Sequence, residues 1–163
     1  MQSLMRNLNE TYEATPPSVA RARSRLAEFA TEVGAAPSQI DAVRLAASEA
    51  VTNCVVHAYR GDPGEIHLNA AVVCGDLWIQ IADGGRGLEP RADRPGMGLG
   101  LGLISQVSDD FAVVSRACGG TEVRIRFNLG QDDPDFSMPR PHADRWAGSG
   151  PDRNGFAPSM SAA

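Results

Sequence analysis

The sequence predicts a two-layer α/β sandwich in which a mixed, mostly antiparallel sheet is covered by helices on one face. Three observations carry this. Near the end of the apolar part of the chain, Val123, Ile125 and Phe127 alternate with Glu122, Arg124 and Arg126, so one side of that strand meets a core and the other meets water. A doubly wound parallel sheet buries both faces and shows continuous apolar runs instead. The first half of the chain carries two apolar stripes of helical period, and the second carries short strand-like runs punctuated by glycine turns.

Taken in order, Pro16-Pro17-Ser18 opens a helix in which Val19, Ala22, Leu26, Phe29, Ala30 and Val33 share a face, and Gly34 ends it. A second helix is expected from Ser38, which has capping-box spacing to Asp41, to about Tyr59. Its stripe is Ile40, Val43, Ala47, Ala50, Val51, Cys54 and Ala58. Strands follow at 65–73 and 76–83, joined by the turn Cys74-Gly75. A glycine-rich stretch over 84–102 leads into a short helix ending near Val107, and strands near 111–116 and 121–128 close the domain around Gly119-Gly120. The folded unit is thus expected over residues 7–130, behind a flexible N-terminus at 1–6. Residues 131–163 hold five prolines and no Ile, Leu or Val, too little apolar surface to offset the entropy of ordering, and are expected to form a disordered tail.

Composition narrows the function. All fifteen basic residues are arginine; there is no lysine. The P-loop lysine, the strand lysine of eukaryotic-type protein kinases and lysine Schiff-base chemistry are therefore excluded. A net charge of −5 is the opposite of a nucleic-acid footprint. With no run long and apolar enough to span a membrane and no signal-peptide core, a soluble, cytoplasmic protein without membrane or direct nucleic-acid partners is expected. Cys54, Cys74 and Cys118 are odd in number and widely spaced, so they read as small buried apolar residues rather than a disulfide or zinc framework.

Four segments carry chemistry. On the second helix Glu49, Asn53 and His57 are spaced i, i+4, i+8 and form a polar strip in an apolar stretch with no arginine within four residues of Glu49; an ordinary amphipathic boundary explains the strip equally well. Asp83 continues the parity of Leu77, Ile79 and Ile81, which points its carboxylate toward the core, where it needs donors; a turn-opening Asp-Gly is the plainer account. Gly85 and Gly87, then Gly96, Gly98, Gly100 and Gly102, run into a helix start, where backbone can approach a ligand and free N–H groups can meet phosphate. Position 101 is Leu, so no dinucleotide fingerprint is formed. Thr121 shares the inward parity of Val123, Ile125 and Phe127.

Together, "EAVTNCVVHAY" (49–59), "DGGRG" (83–87), "GMGLGLGLI" (96–104) and "GGT" (119–121) resemble, in order and spacing, the nucleotide-binding boxes of the Bergerat-fold ATPases, the GHKL group with histidine-kinase-like ATPase domains. More closely, the chain resembles the anti-sigma-factor serine/threonine kinases of the RsbW type. That resemblance implies ATP and Mg²⁺ as cofactors, with Glu49 as general base toward an acceptor hydroxyl and Asn53 as Mg²⁺ ligand. It implies Asp83 as acceptor of the adenine amino group, Gly85 and Gly87 as room for the ring, and Thr121 as support for the base. Gly96, Gly98 and Gly100 would bring backbone N–H groups to the phosphates, Arg94 would reach the terminal phosphate, and His57 would line the pocket. The implied partners are a sigma factor, a STAS-type anti-anti-sigma protein that the kinase phosphorylates, and a second copy of the chain. Cys54 stands where alanine is usual, and the lid at 88–95 is short. Two other functions fit the same boxes: a nucleotide-dependent module that sequesters its partner without transferring phosphate, and a detached histidine-kinase catalytic domain.

Overall fold

A computed structural model describes residues 6–87 and 97–130. Five strands form one sheet: β1 (Asn7–Glu13), β2 (Glu65–Val73), β3 (Asp76–Asp83), β4 (Asp110–Ser115) and β5 (Thr121–Asn128). Three helices accompany them: α1 (Pro16–Glu32), α2 (Pro37–Asn53) and α3 (Met97–Val107). The strand order is β1-β2-β3-β5-β4, and every pairing among the described residues is antiparallel. The expected α/β sandwich is present, with its sheet antiparallel throughout instead of mixed.

One sheet face packs on the helices. Leu26 and Phe29 of α1, Val43 and Val51 of α2, Ile104 of α3 and the inward row Ile79, Ile81, Val123, Ile125 form a single buried cluster. Burying such side chains is the main favourable term in holding the layers together, about 1.5–3 kcal/mol for each large aliphatic group. The opposite face is a polar ladder in which Asn69 donates to Gln80 at 3.2 Å and Arg126 pairs with Asp76 at 3.2 Å beside Trp78. The alternation in β5 decides which face is which: Thr121, Val123, Ile125 and Phe127 are buried, and the residues between them are half-buried.

The sequence expectations need five corrections. The strand β1 was not anticipated, because only Leu8 and Tyr12 of its seven residues are buried. The second helix begins at Pro37, not Ser38; the N–H of Ala36 donates to the Gln39 side chain at 3.0 Å, so Gln39 rather than Asp41 serves the start. It ends at Asn53 and continues as a π-helical turn over Cys54–Ala58. The third helix starts at Met97, inside the glycine-rich stretch. Cys74 and Cys118 are exposed turn residues, and only Cys54 is buried. Cys74 and Gly75 both have positive φ, 53° and 85°, as the tight β2–β3 hairpin requires. Among the described residues no helix is long and apolar enough to cross a membrane. The expected lid at 88–95, the tail at 131–163 and most of the N-terminal segment 1–6 lie outside the described residues.

The topology matters for function at one place. The chain leaves β3 at Asp83, and β5 returns beside β3 with Ile81 opposite Val123 and Ala82 opposite Glu122. Asp83 and Thr121, thirty-eight positions apart, therefore meet at the same sheet end.

Candidate functional site

At that sheet end lies a cleft of about 600 Å³, counting its open mouth. Asn53, Cys54 and His57 line it from the helix side, Asp83 and Thr121 from the sheet, and Gly87 from the following loop. Ala50, Leu101, Val113 and Val123 supply apolar walls, and Arg60 and Arg86 stand with them. A mostly apolar cleft with a few fixed polar groups is what a small ligand with a flat ring requires.

Asp83 is the most constrained polar group in it, only 4% exposed. One oxygen, Oδ1, accepts the backbone N–H groups of Gly85 at 2.9 Å and Thr121 at 3.2 Å. The other, Oδ2, accepts the thiol of Cys54 at 3.7 Å. A carboxylate offers about four acceptor positions, so roughly one remains for a ligand donor. Burial pushes the Cys54 thiol up from its usual range, and the neighbouring Asp83 charge and their hydrogen bond push it the same way. The thiol thus stays protonated and donates.

The loop after Asp83 is held in place by the end of the second helix. Tyr59 Oη donates to the carbonyl of Glu65 at 2.7 Å and accepts the N–H of Gly84 at 2.8 Å. The N–H of Arg86 donates to the carbonyl of Ala58 at 3.2 Å, and Arg116 Nη1 donates to the carbonyl of Asp83 at 3.0 Å. Gly85 lies so close to Ala58 that a Cβ would sit 2.7 Å from its carbonyl carbon, which explains the glycine by packing; Gly85 is not among the cleft-lining residues. Gly87 does line the cleft, and its φ of 76° accounts for its identity. The π-helical turn widens the helix where it meets this loop, as such turns commonly do beside ligand sites.

Glu49 lies one helical turn before Asn53 and makes no hydrogen bond or ion pair among the described residues. A Cβ at Gly100 would meet its carboxylate oxygen, the movable end of the side chain, so Glu49 lies directly against the start of α3. Among the described residues the Nδ2 of Asn53 is buried without a partner, a costly state for an amide donor and a pointer to an acceptor brought by a ligand. Gly98 and Gly100 fall in the first turn of α3, whose N–H groups have no partner within the helix. Arg94 and Gly96 lie outside the described residues.

Of the residues expected from sequence, Asn53, His57, Asp83, Gly87 and Thr121 are brought around one cleft, and Glu49 with Gly100 flanks it. Sequence reasoning missed Tyr59, Ala58, Arg60, Arg86 and Arg116, and it read Cys54 only as a small buried apolar residue standing where alanine is usual. A signal for the last was present: a core-facing Asp83 needs donors, and Cys54 is the hydrogen-bonding member of the helix stripe.

A model of the histidine kinase-like ATPase domain matches residues 12–127. The chain belongs to this family. Membership implies that it binds ATP. The anti-sigma F factor of Caldanaerobacter subterraneus subsp. tengcongensis is 30% identical over 122 residues, covering 68% of this chain and 85% of that protein. The anti-sigma F factor of Clostridium acetobutylicum is 31% identical over 116 residues, covering 64% and 81%. Among solved structures, that of the RsbU and RsbW domains of Rv1364c from Mycobacterium tuberculosis aligns with a TM-score of 0.61 at 28% identity over 76% of this chain. The match spans 32% of that longer chain, about a third of it. The resemblance drawn from the four boxes therefore holds at the level of family and fold.

Proposed function

We propose that the protein is an ATP-dependent serine/threonine kinase that also holds a sigma factor, and that it phosphorylates a STAS-type anti-anti-sigma partner. The observation that carries this reading is the meeting of Asp83 and Asn53 across one cleft with Glu49 one turn away. The residues present fit ATP and Mg²⁺. Asp83 has an acceptor position for the amino group of adenine, and Thr121 and Gly87 flank it. The orphaned Nδ2 of Asn53 fits a phosphate oxygen, and its Oδ1 fits a hard cation. Bound Mg²⁺ would neutralise phosphate charge, work that a chain without lysine assigns also to the N–H groups of Gly98 and Gly100. Arg94 and Gly96 are assigned to the phosphates on the same reading.

Glu49 then acts on the acceptor. Its carboxylate takes the proton of the serine or threonine hydroxyl as that oxygen bonds to the γ-phosphorus, and the bond from phosphorus to the departing ADP oxygen breaks. The free state of Glu49 among the described residues suits a base that waits for a partner side chain. Relatives named anti-sigma F factor support the sigma-factor role, in which nucleotide state decides which partner is held. The same reading makes the protein a cytoplasmic homodimer.

Incubation with Mg-ATP and a STAS partner tests the proposal. Phosphate should appear on a partner serine or threonine with the wild type, and Glu49→Ala should lower the rate at least a hundredfold, the usual worth of a general base, without weakening ATP binding. A tight ATP-dependent complex with unmodified partner would overturn the kinase and leave a sequestering module.

A further inference from the structure

Cys54 is buried to 3% exposure, and its thiol points at Asp83 Oδ2. Gly85 and Thr121 both hold Oδ1, and because the intrinsic profile about that bond is broad, these two bonds narrow the carboxylate torsion without any direct hold on Oδ2. The thiol of Cys54, a third donor from another element, holds Oδ2 and narrows the torsion further. It also takes one of the two positions on Oδ2, so the carboxylate presents a single acceptor site of fixed direction to the cleft that both residues line.

We propose that Cys54 is a positioning residue for Asp83: its thiol fixes the carboxylate so that the cleft accepts one ring amino donor and rejects a purine that offers an oxygen in its place. This rests on the reading of Asp83 as the adenine acceptor. The thiol does not touch the nucleotide chemistry; it sets how sharply adenine is told from hypoxanthine. In ATP the group at ring position 6 is a donor, whereas in inosine triphosphate it is a carbonyl oxygen that meets the fixed carboxylate as acceptor against acceptor. A carboxylate free to turn would penalise that oxygen less and hold the amino group less well.

The test measures affinities for ATP and inosine triphosphate in the wild type, Cys54→Ala and Cys54→Ser. Wild type should prefer ATP. Cys54→Ala should weaken ATP binding roughly three- to tenfold, the net worth of one ordinary hydrogen bond, as suits a long thiol contact, and leave inosine triphosphate unchanged or tighter, so the ratio falls. The hydroxyl of Cys54→Ser donates again and should return the ratio toward wild type. Equal losses for both nucleotides in Cys54→Ala, an unchanged ratio, or a Ser variant indistinguishable from Ala would make Cys54 a packing residue and overturn the proposal alone. A wild type that does not distinguish the two nucleotides would overturn the adenine reading of Asp83 and the proposal with it.

Discussion

Gly120 shows how tightly single residues fix the cleft. Its φ is 90°, and a Cβ there would run into the carbonyl of Asp83 and sit 2.8 Å from Gly84 Cα, backbone atoms that cannot swing aside. The neighbouring Gly119 also has positive φ, 92°, but its Cβ would meet only the Gly85 carbonyl at an ordinary 3.9 Å. Gly119→Ala should thus cost the backbone strain alone, about 1–2 kcal/mol, and Gly120→Ala about 2–4 kcal/mol once overpacking is added. Urea unfolding of both variants checks this; equal losses would mean that the turn yields under Gly120. Strand parity was enough to place Asp83 and Thr121 inward, since period two is a local property. The donors to Asp83 could not be read that way. Gly85 is a local donor two residues on, but Cys54 and Thr121 reach the carboxylate from twenty-nine and thirty-eight residues away, and only the tertiary fold pairs them with it.

The first strand is attached to the helical layer by a small charged group. Arg25 of α1 donates to Glu10 at 2.9 Å, Tyr12 donates to the other oxygen of Glu10, and Arg21 lies 5.5 Å from the Tyr12 ring centre. Burial, and then the hydrogen bond and charge of Glu10, push the Tyr12 phenol up to about 12 from 10.0. Between those values the folded chain keeps a proton that the unfolded chain has released, so stability falls as pH rises. The contribution is full below about pH 10 and is lost by about pH 12, on the order of 2–3 kcal/mol. Tyr12→Phe should flatten the slope of unfolding free energy against pH in that window, measured by urea titration; an unchanged slope would assign it to other groups. The elements most legible in sequence were those with long periodic stripes: α1, the start of α2 and the β2–β3 hairpin sit within about two residues of expectation. The strand β1 and the π-helical turn were not legible, because a two-residue stripe is too short to read as periodic and a π turn keeps the composition of the helix it ends.

The strand order shows why the cleft exists at all, and it was beyond local reading. Alternation identifies a one-sided sheet without saying that β5 lies between β3 and β4. That insertion brings three distant stretches, 50–60, 83–87 and 113–123, around the same space, while α3 closes it through Leu101. A nucleotide seated there touches all three at once. Hydrogen exchange with and without Mg-ATP reads this directly. At a hundred times the dissociation constant the ligand slows exchange through global unfolding roughly a hundredfold, and core amides such as those of Ile66 and Leu68 should show that shared shift. The N–H groups of Gly84, Gly85, Arg86 and Thr121 belong to loop and strand-end bonds that open locally in the free protein, so they should be slowed together and from a faster starting rate. Protection confined to one of the three stretches would place the nucleotide outside the cleft. Joint protection in the wild type, with the Gly84–Arg86 component lost in Tyr59→Phe, would show that the helix end and the sheet end respond to nucleotide as one unit, because Tyr59 is the side chain that ties the loop to both.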